Sequence, residues 1–377
     1  MTASTSINFP AEGSLTSSGR PFGVYVHIPF CQVRCGYCDF NTYTGLSDVQ
    51  ETYADVVIAE IRQSVLAWEN RPKISTVFFG GGTPTLLASG ELIRILDALD
   101  DAYGLVANAE VTTEANPDSV TPQSLLELRA GGFNRISFGM QSAVPHVLKT
   151  LDRTHDPERV AQAVEWARSA GFENISLDLI YGTPGESLID WQTSLQQAID
   201  LEPNHISAYA LIVEPNTAMA RKISRGEIEA PDDDLSADKY ELAERMLNDA
   251  GFYWYELSNW RLDESAGCAH NELYWRSDDW WGFGPGAHSH VSGVRWWNSK
   301  NPRGYGLAGS EILDEPTKQL EQVMLGMRMA AGMPAQDFEP DVIAELLDAN
   351  LITVGERIRL TLSGRLLADA VVRKLTG

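Results

Sequence analysis

The feature that most restricts the fold of this 377-residue chain is a repeated alternation of short apolar segments and longer amphipathic segments. The short segments are rich in β-branched and aromatic residues and predict strands, whereas the longer segments have helical spacing. This alternation predicts parallel strands joined by right-handed helical crossovers. The predicted strands are Gly23–Ile28, Ser75–Phe79, Glu110–Glu114, Asn134–Phe138, Asn174–Ile180 and His205–Leu211.

Polar and glycine-rich residues follow nearly every predicted strand. An open doubly wound sheet would gather such residues at one switch point, whereas a β/α barrel gathers them at the C-terminal ends of all its strands. The sequence therefore predicts an α/β fold with a partial (β/α)6 barrel, followed by a smaller C-terminal α+β domain.

Changes in pattern along the chain predict four segments. Residues 1–20 are rich in Ser, Thr, Gly and Ala and predict a disordered lead-in. The barrel is expected over residues 21–215, and an aromatic-rich extension over residues 216–310. Residues 311–377 predict a helical, winged-helix-like domain. No basic recognition face is evident there, which favours a packing role over DNA reading.

The formal net charge of −23 argues against binding to nucleic acid or anionic lipid, both of which require a basic patch. No apolar run approaches the roughly 20 residues of a membrane span. The first 19 residues lack the charged start and apolar centre of a signal peptide. These features together predict a cytoplasmic protein.

Three of the four cysteines, Cys31, Cys35 and Cys38, lie within eight residues in a C-x3-C-x2-C motif. Such a cluster favours a metal centre over disulfides in a reducing compartment. Thiolates are the usual ligands of iron–sulfur clusters, and three ligands on four irons leave one iron open to a cofactor. The motif predicts a [4Fe–4S] cluster. The alternative is a zinc site completed by His27 or Cys268, although structural zinc sites usually show paired C-x2-C motifs.

The chain resembles the radical S-adenosylmethionine superfamily over nearly its whole length from Tyr25. Within it, the chain is most similar to the branch that contains oxygen-independent coproporphyrinogen III oxidase and the HemW-type heme chaperones. This resemblance implies that S-adenosylmethionine chelates the open iron and is cleaved reductively to a 5′-deoxyadenosyl radical. The segments that carry it are Tyr25–Cys31, Gly80–Pro84, Asn134–Gln141, Leu177–Pro184 and His270–Trp275.

The resemblance also implies a set of residues that contact S-adenosylmethionine. Glu114 would accept hydrogen bonds from the ribose hydroxyls, Arg153 would pair with the cofactor carboxylate, and the glycines would admit its methionyl end. Taken alone, the glycine run is also typical of a turn, and Arg153 of an exposed helix start. The full set is Tyr25, Tyr37, Gly81, Gly82, Thr83, Glu114, Gln141, Arg153, Asp178 and Ile212.

Two features favour the HemW type. The oxidase carries a fourth cysteine two positions after the motif, where this chain has Phe40. The segment from His270 to Trp275 matches an H-N-x-x-Y-W motif that accompanies heme binding in the HemW branch, and His270 or Tyr274 could ligate heme iron. The alternative is that His270 is a core histidine, and the role of Cys268 stays open.

The leading hypothesis is a heme chaperone that holds heme, a [4Fe–4S] cluster and S-adenosylmethionine, and passes heme to an acceptor protein. A membrane-associated respiratory enzyme is one candidate acceptor, and a homodimer is one candidate state. The alternative function is an oxygen-independent coproporphyrinogen III oxidase. Phe40 argues against that activity, while cleavage of S-adenosylmethionine remains compatible with either function.

Overall fold

A computed structural model of the chain describes residues 13–153 and 156–377. The strands are β1 (Leu15–Thr16), β2 (Phe22–Ile28), β3 (Trp68–Asn70), β4 (Ile74–Gly81), β5 (Leu105–Ala115), β6 (Arg135–Gln141), β7 (Asn174–Tyr181), β8 (His205–Ala210), β9 (Tyr253–Glu256), β10 (Asn259–Arg261), β11 (Asp279–Phe283), β12 (His288–Val291), β13 (Val294–Asn298), β14 (Leu307–Ile312), β15 (Met333–Pro334), β16 (Ile352–Val354) and β17 (Arg357–Leu360). The helices are α1 (Ser47–Gln50), α2 (Tyr53–Ser64), α3 (Ser89–Tyr103), α4 (Pro122–Ala130), α5 (Pro145–Thr150), α6 (Pro157–Ser169), α7 (Leu188–Asp200), α8 (Ala218–Ser224), α9 (Asp233–Asp249), α10 (Ala269–Trp275), α11 (Glu315–Gly326), α12 (Pro340–Asp348), α13 (Leu362–Leu366) and α14 (Ala368–Thr376).

The six predicted parallel strands are present and are neighbours in chain order. Strands β2, β4, β5, β6, β7 and β8 pair in parallel, each with the next. Helices connect successive strands, and their apolar faces join one large core with the outward-facing strand residues. This arrangement confirms the predicted partial barrel, because sequential parallel pairing with helical crossovers is the defining order of that fold.

The segment after the barrel extends the same sheet at both edges. Strand β10 pairs antiparallel with β8 and with β9. On the other side β11 pairs in parallel with β2, and β12, β13 and β14 follow as an antiparallel meander. In the part of the chain that the structure describes, this sheet contains twelve strands. The aromatic-rich residues therefore lie beside the first barrel strand.

Helix α10 packs against β2 and β4, and Gly23 makes this close approach feasible. A Cβ atom at Gly23 would lie 2.8 Å from a Leu273 methyl carbon and 3.3 Å from the His270 ring. A side chain on this strand would therefore displace the helix. The consequence is that the H-N-x-x-Y-W residues sit against the inner face of the barrel strands.

The C-terminal segment has its own small core. Strands β15, β17 and β16 form an antiparallel sheet, and α12 and α14 pack over it. Met327, Leu346, Ile352, Ile358 and Val371 are buried there. Two helices followed by a β-hairpin match the order expected of a winged-helix-like end.

Part of the predicted lead-in, residues 1–12, lies outside the described residues. Within its remainder, Leu15 is buried and β1 pairs in parallel with β3. Leu15 and β1 are therefore packed against the main core and β3. None of the described helices is both long and apolar enough to cross a bilayer.

Candidate active site at the barrel mouth

A cavity of about 630 Å³ runs from the C-terminal ends of the strands down into the barrel. This volume lies within the range of small-molecule sites. Alternate residues of a strand face the same side, and Arg135, Ser137, Gly139 and Gln141 of β6 all line the cavity. Its wall is thus built by the inward-facing rows of the barrel strands.

The three motif cysteines lie on the loop after β2, at the cavity mouth. Cys31, Cys35 and Cys38 all line the cavity and are partly exposed. The Cys31 amide donates to the Tyr43 carbonyl (2.9 Å), and the Cys38 amide donates to the Cys35 carbonyl (3.2 Å), which fixes the loop. Three partly exposed thiols facing one cavity fit the three protein ligands of a [4Fe–4S] cluster with an open iron.

The zinc alternative lacks a fourth ligand in this geometry. Both ring nitrogens of His27 are engaged, Nδ1 with the Tyr25 hydroxyl (3.0 Å) and Nε2 with the Asn41 carbonyl (2.9 Å). Cys268 lies on the cavity floor, beside a carboxylate oxygen of Glu110 (3.7 Å). Within residues 13–153 and 156–377, no three His, Cys, Asp or Glu side chains converge as ligands of a single ion do.

Gly81 and Gly82, at the end of β4, lie beside the residues that lead into the cysteine loop. A Cβ atom at Gly81 would lie 2.5 Å from the His27 ring, and one at Gly82 would lie 2.4 Å from the Phe30 carbonyl oxygen. The Gly81 φ of 111° also disfavours any other residue. The sequence attributed these glycines to a close approach of the cofactor, but the protein itself already requires them.

Glu114 and Asp178 are two carboxyl groups on the inner wall. Burial and then the charge of Asp178 raise the pKa of Glu114 to about 8, partly offset by the Gly81 amide, which donates to Glu114 (3.1 Å). Burial also raises the pKa of Asp178, which accepts a hydrogen bond from the Ser137 hydroxyl (2.8 Å). Burial, together with the charge of Asp178, therefore favours the neutral form of Glu114.

Arg153 and Gln141 lie beside the cysteine loop. Arg153 donates through Nη2 to the Gly139 carbonyl (2.9 Å), and its Nη1 lies 3.9 Å from the Cys35 sulfur. Its buried Nε has no hydrogen-bond partner among the described residues. Gln141 adopts a φ of 62°, which turns the chain at the end of β6. Both side chains therefore line the cavity next to the cysteine loop.

The remaining predicted contacts also line the cavity. Tyr25 lies on its inner wall, Tyr37 and Thr83 lie near the cysteines, and Ile212 is 69% exposed at the rim. Burial raises the pKa of Tyr25 and of Tyr37, so both phenols are neutral. The structure thus brings the ten predicted cofactor contacts and the three cysteines to one cavity.

His270 and Tyr274 line the lower part of the cavity rather than an open surface. The His270 Nδ1 pairs with the Thr76 hydroxyl (2.8 Å) and its Nε2 with the Tyr274 hydroxyl (2.8 Å). His270 is 0% exposed, its ring stacks on Phe78 at a centroid distance of 5.3 Å, and burial lowers its pKa to about 3. Ligation of heme iron by either residue would require one of these bonds to open.

The polar residues of the cavity floor were not predicted from the sequence. Arg135, Ser176 and His205 line it at the starts of three neighbouring strands, and Glu110 caps helix α10 from below. The available signal was their period-2 spacing with Ser137, Asp178 and Ser207. Polar residues at strand ends mark only the mouth, whereas these residues lie near the starts of the strands.

Comparison with known proteins agrees with this geometry. Residues 25–198 match the model of the Radical SAM superfamily. Among solved structures, coproporphyrinogen III oxidase (HemN) from Escherichia coli superimposes with a TM-score of 0.81 at 24% sequence identity, covering 95% of this chain and 90% of that chain. At this identity the match establishes the shared fold.

Relatives that match most of the chain identify the family within this superfamily. The heme chaperone HemW of Mycobacterium tuberculosis is 46% identical over 95% of this chain and 96% of its own length. The HemW proteins of Bacillus subtilis and Escherichia coli are 33% and 34% identical, over 94% and 84% of this chain and 98% and 85% of their own lengths. The chain therefore belongs to the HemW family of the radical SAM superfamily.

Proposed function

We propose that this protein is a heme chaperone that binds heme, carries a [4Fe–4S] cluster with S-adenosylmethionine, and transfers heme to an acceptor protein. The observation that carries the proposal is the 46% identity to a heme chaperone HemW over nearly the full length of both chains. Phe40, which replaces the extra cysteine of the oxidase-like motif, supports the same assignment.

The cavity residues support the cofactor part of the proposal. Cys31, Cys35 and Cys38 would hold the cluster, and Arg153 would take the carboxylate of S-adenosylmethionine. Glu114 would accept hydrogen bonds from its ribose hydroxyls, and Asp178 would be a further contact. The cluster and cofactor together supply one-electron reductive chemistry, and the protein supplies the walls that orient the cofactor.

His270 and Tyr274 are the candidate heme ligands of this proposal, and Cys268 is a further candidate contact. They would become available if helix α10 moved away from Thr76, because all three residues are on or next to this helix. The heme acceptor would be a protein, and a membrane-associated respiratory enzyme is one candidate. The chaperone itself would act in the cytoplasm.

The first experiment is a heme titration of the purified, cluster-loaded protein without oxygen. A stoichiometric Soret band, followed by loss of heme to an added apo-acceptor, is the expected result. His270→Gln and Tyr274→Phe test the ligands, because loss of an axial ligand moves the Soret maximum. Absence of saturable heme binding by the wild-type protein would sink the proposal.

The competing function is the oxidation of coproporphyrinogen III, which the shared fold permits. Protein with verified cluster and S-adenosylmethionine binding is incubated with reductant and coproporphyrinogen III, and the porphyrins are separated by chromatography. We expect no protoporphyrinogen. Formation of protoporphyrinogen over many turnovers would identify the protein as an oxidase and contradict the chaperone proposal.

A further inference from the structure

The floor of the cavity contains a buried guanidinium with unused hydrogen-bond donors. Arg135 is 2% exposed, yet its Nε and Nη2 have no hydrogen-bond partner among the described residues. These two N–H groups lie on the same edge of the planar guanidinium and form a fork that matches the two oxygens of a carboxylate. We propose that Arg135 binds a carboxylate of a ligand that enters the barrel, namely a propionate of heme.

The nearest protein carboxylate does not fill this fork. Glu110 Oε2 lies 3.8 Å from Arg135 Nε, beyond hydrogen-bond distance. Its two oxygens already accept from the backbone amides of Ala269 (3.0 Å) and His270 (3.0 Å). Glu110 is therefore committed to the first turn of helix α10, and it contributes only attraction to the guanidinium.

The other polar neighbours of the floor are also committed. The Tyr255 hydroxyl accepts from the Cys268 amide (3.2 Å) and pairs with His205 Nε2 (2.8 Å). His205 Nδ1 pairs with the Ser176 hydroxyl (2.7 Å). Burial, then the charges of Arg135 and Arg261, lower the pKa of His205, so it is neutral. In the part of the chain that the structure describes, the Nε and Nη2 groups of Arg135 are thus left without an acceptor.

The fork lies below the cofactor contacts rather than among them. Arg135 begins the inward-facing row of β6 that continues through Ser137 and Gly139 to Gln141 at the mouth. A propionate that reaches Arg135 would bring its porphyrin against the lower wall of the cavity, which carries Cys268, His270 and Tyr274. The inference therefore places heme in the same barrel as S-adenosylmethionine, with one acid group pointing to the floor.

The test compares iron protoporphyrin IX with its dimethyl ester, in which the propionates carry no charge. Both are titrated into the cluster-loaded wild-type chain and into Arg135→Lys, which keeps the charge beside Glu110 but lacks the fork. Arg94→Lys, an exposed arginine on α3, is the matched control. We expect Arg135→Lys to weaken heme binding by roughly 10- to 100-fold, with little change for the ester.

If Arg135→Lys lost the same affinity for heme and for its ester, the inference would be overturned. Arg135 would then only stabilise the cavity floor through its attraction to Glu110. Equal wild-type affinity for the two ligands would also overturn the inference. The inference rests on the proposed function, and wild-type protein that binds neither ligand would contradict that function first.

A smaller ligand, propionate, then tests whether Arg135 binds a carboxylate independently of heme. Sodium propionate should raise the unfolding midpoint of the wild-type protein above that in sodium chloride of equal ionic strength, and should not do so in Arg135→Lys. No difference between the salts in the wild type would overturn the site, and would leave bound water as the partner of the guanidinium.

Discussion

The Nε2 nitrogen of His270 lies 2.8 Å from the Tyr274 hydroxyl oxygen, one helical turn away. The two candidate heme ligands of the H-N-x-x-Y-W segment are therefore bonded to each other, while Thr76 holds the other ring nitrogen. In this conformation the motif closes the inner side of the barrel. Heme ligation by the motif would require helix α10 to shift, and the following predictions separate its structural role from heme binding.

His270 should make stability depend on pH. Its folded-state pKa of about 3 is below the ordinary value near 6.5, so the unfolded chain binds the proton more readily. The stability that the neutral ring contributes is fully present above pH 6.5 and is lost as pH falls toward 3, by at most about 1.4 kcal/mol per pH unit. His270→Gln should remove this part of the pH dependence.

Urea unfolding of the cluster-free chain between pH 7.5 and pH 5 measures this effect. His146→Gln is the control, because the His146 side chain is 57% exposed. Parallel pH profiles for wild type and His270→Gln would show that the His270 ring is accessible to protons in the folded chain.

The cluster should depend on three cysteines and not on the fourth. Replacement of Cys31, Cys35 or Cys38 by serine should remove the iron and the broad visible absorption of the reconstituted protein, because each loses one thiolate ligand. Cys268→Ser is the matched control, since this buried thiol lies on the cavity floor. Retention of a full cluster in Cys35→Ser would refute the assignment.

Binding of S-adenosylmethionine should release a proton from Glu114. The carboxyl group has a pKa of about 8 in the ligand-free chain, whereas an ionised carboxylate is the better acceptor for two ribose hydroxyls. The affinity should therefore rise with pH up to about 8, by at most about tenfold per pH unit. Glu114→Gln should bind more weakly and lack this dependence.

Calorimetry in buffers of different ionisation enthalpy counts the released proton at pH 7. Asp118→Asn serves as the control, because Asp118 is a carboxylate outside the cavity. A wild-type affinity that does not change between pH 6 and pH 8 would contradict the ionisation of Glu114 on binding.

The buried ion pair of Lys239 and Glu186 should be important for stability. Lys239 Nζ lies 2.8 Å from Glu186 Oε2, with side-chain exposures of 1% and 0%, and Glu186 also accepts from the Gly182 amide (2.8 Å). Lys239→Met should lower the free energy of unfolding by about 3–5 kcal/mol, because it leaves a buried carboxylate without its cation.

Chemical denaturation measures this loss. Arg94→Met breaks an ion pair with Asp55, whose side chain is 64% exposed, and should cost less than about 1 kcal/mol. If both variants lost the same free energy of unfolding, burial would not make the Lys239–Glu186 ion pair more important for stability than an exposed pair. Glu186 lies just after the Gly182–Pro184 turn, so the loss of Lys239 should also loosen that turn.

Local sequence patterns were sufficient to predict the barrel strands and the loop that carries the three cysteines. Each predicted parallel strand overlaps an observed one, because a buried parallel strand is a short, nearly continuous apolar run. The cysteine spacing and its place directly after Gly23–Ile28 located the mouth of the site, because β/α barrels carry their chemistry where strands end. These signals lie within a few residues of one another along the chain.

Local periodicity was enough to predict the parallel strands of the barrel, spacing was enough for the three thiols, and the family resemblance supplied the cofactor contacts at its mouth. The packing of distant elements determined what lies opposite these residues. Contact between His270 and Thr76, 194 residues apart, turns the H-N-x-x-Y-W segment inward. The carboxylate of Glu110 is taken by helix α10, and this leaves the Arg135 fork open. Such pairings depend on how distant elements pack, and no local pattern encodes them.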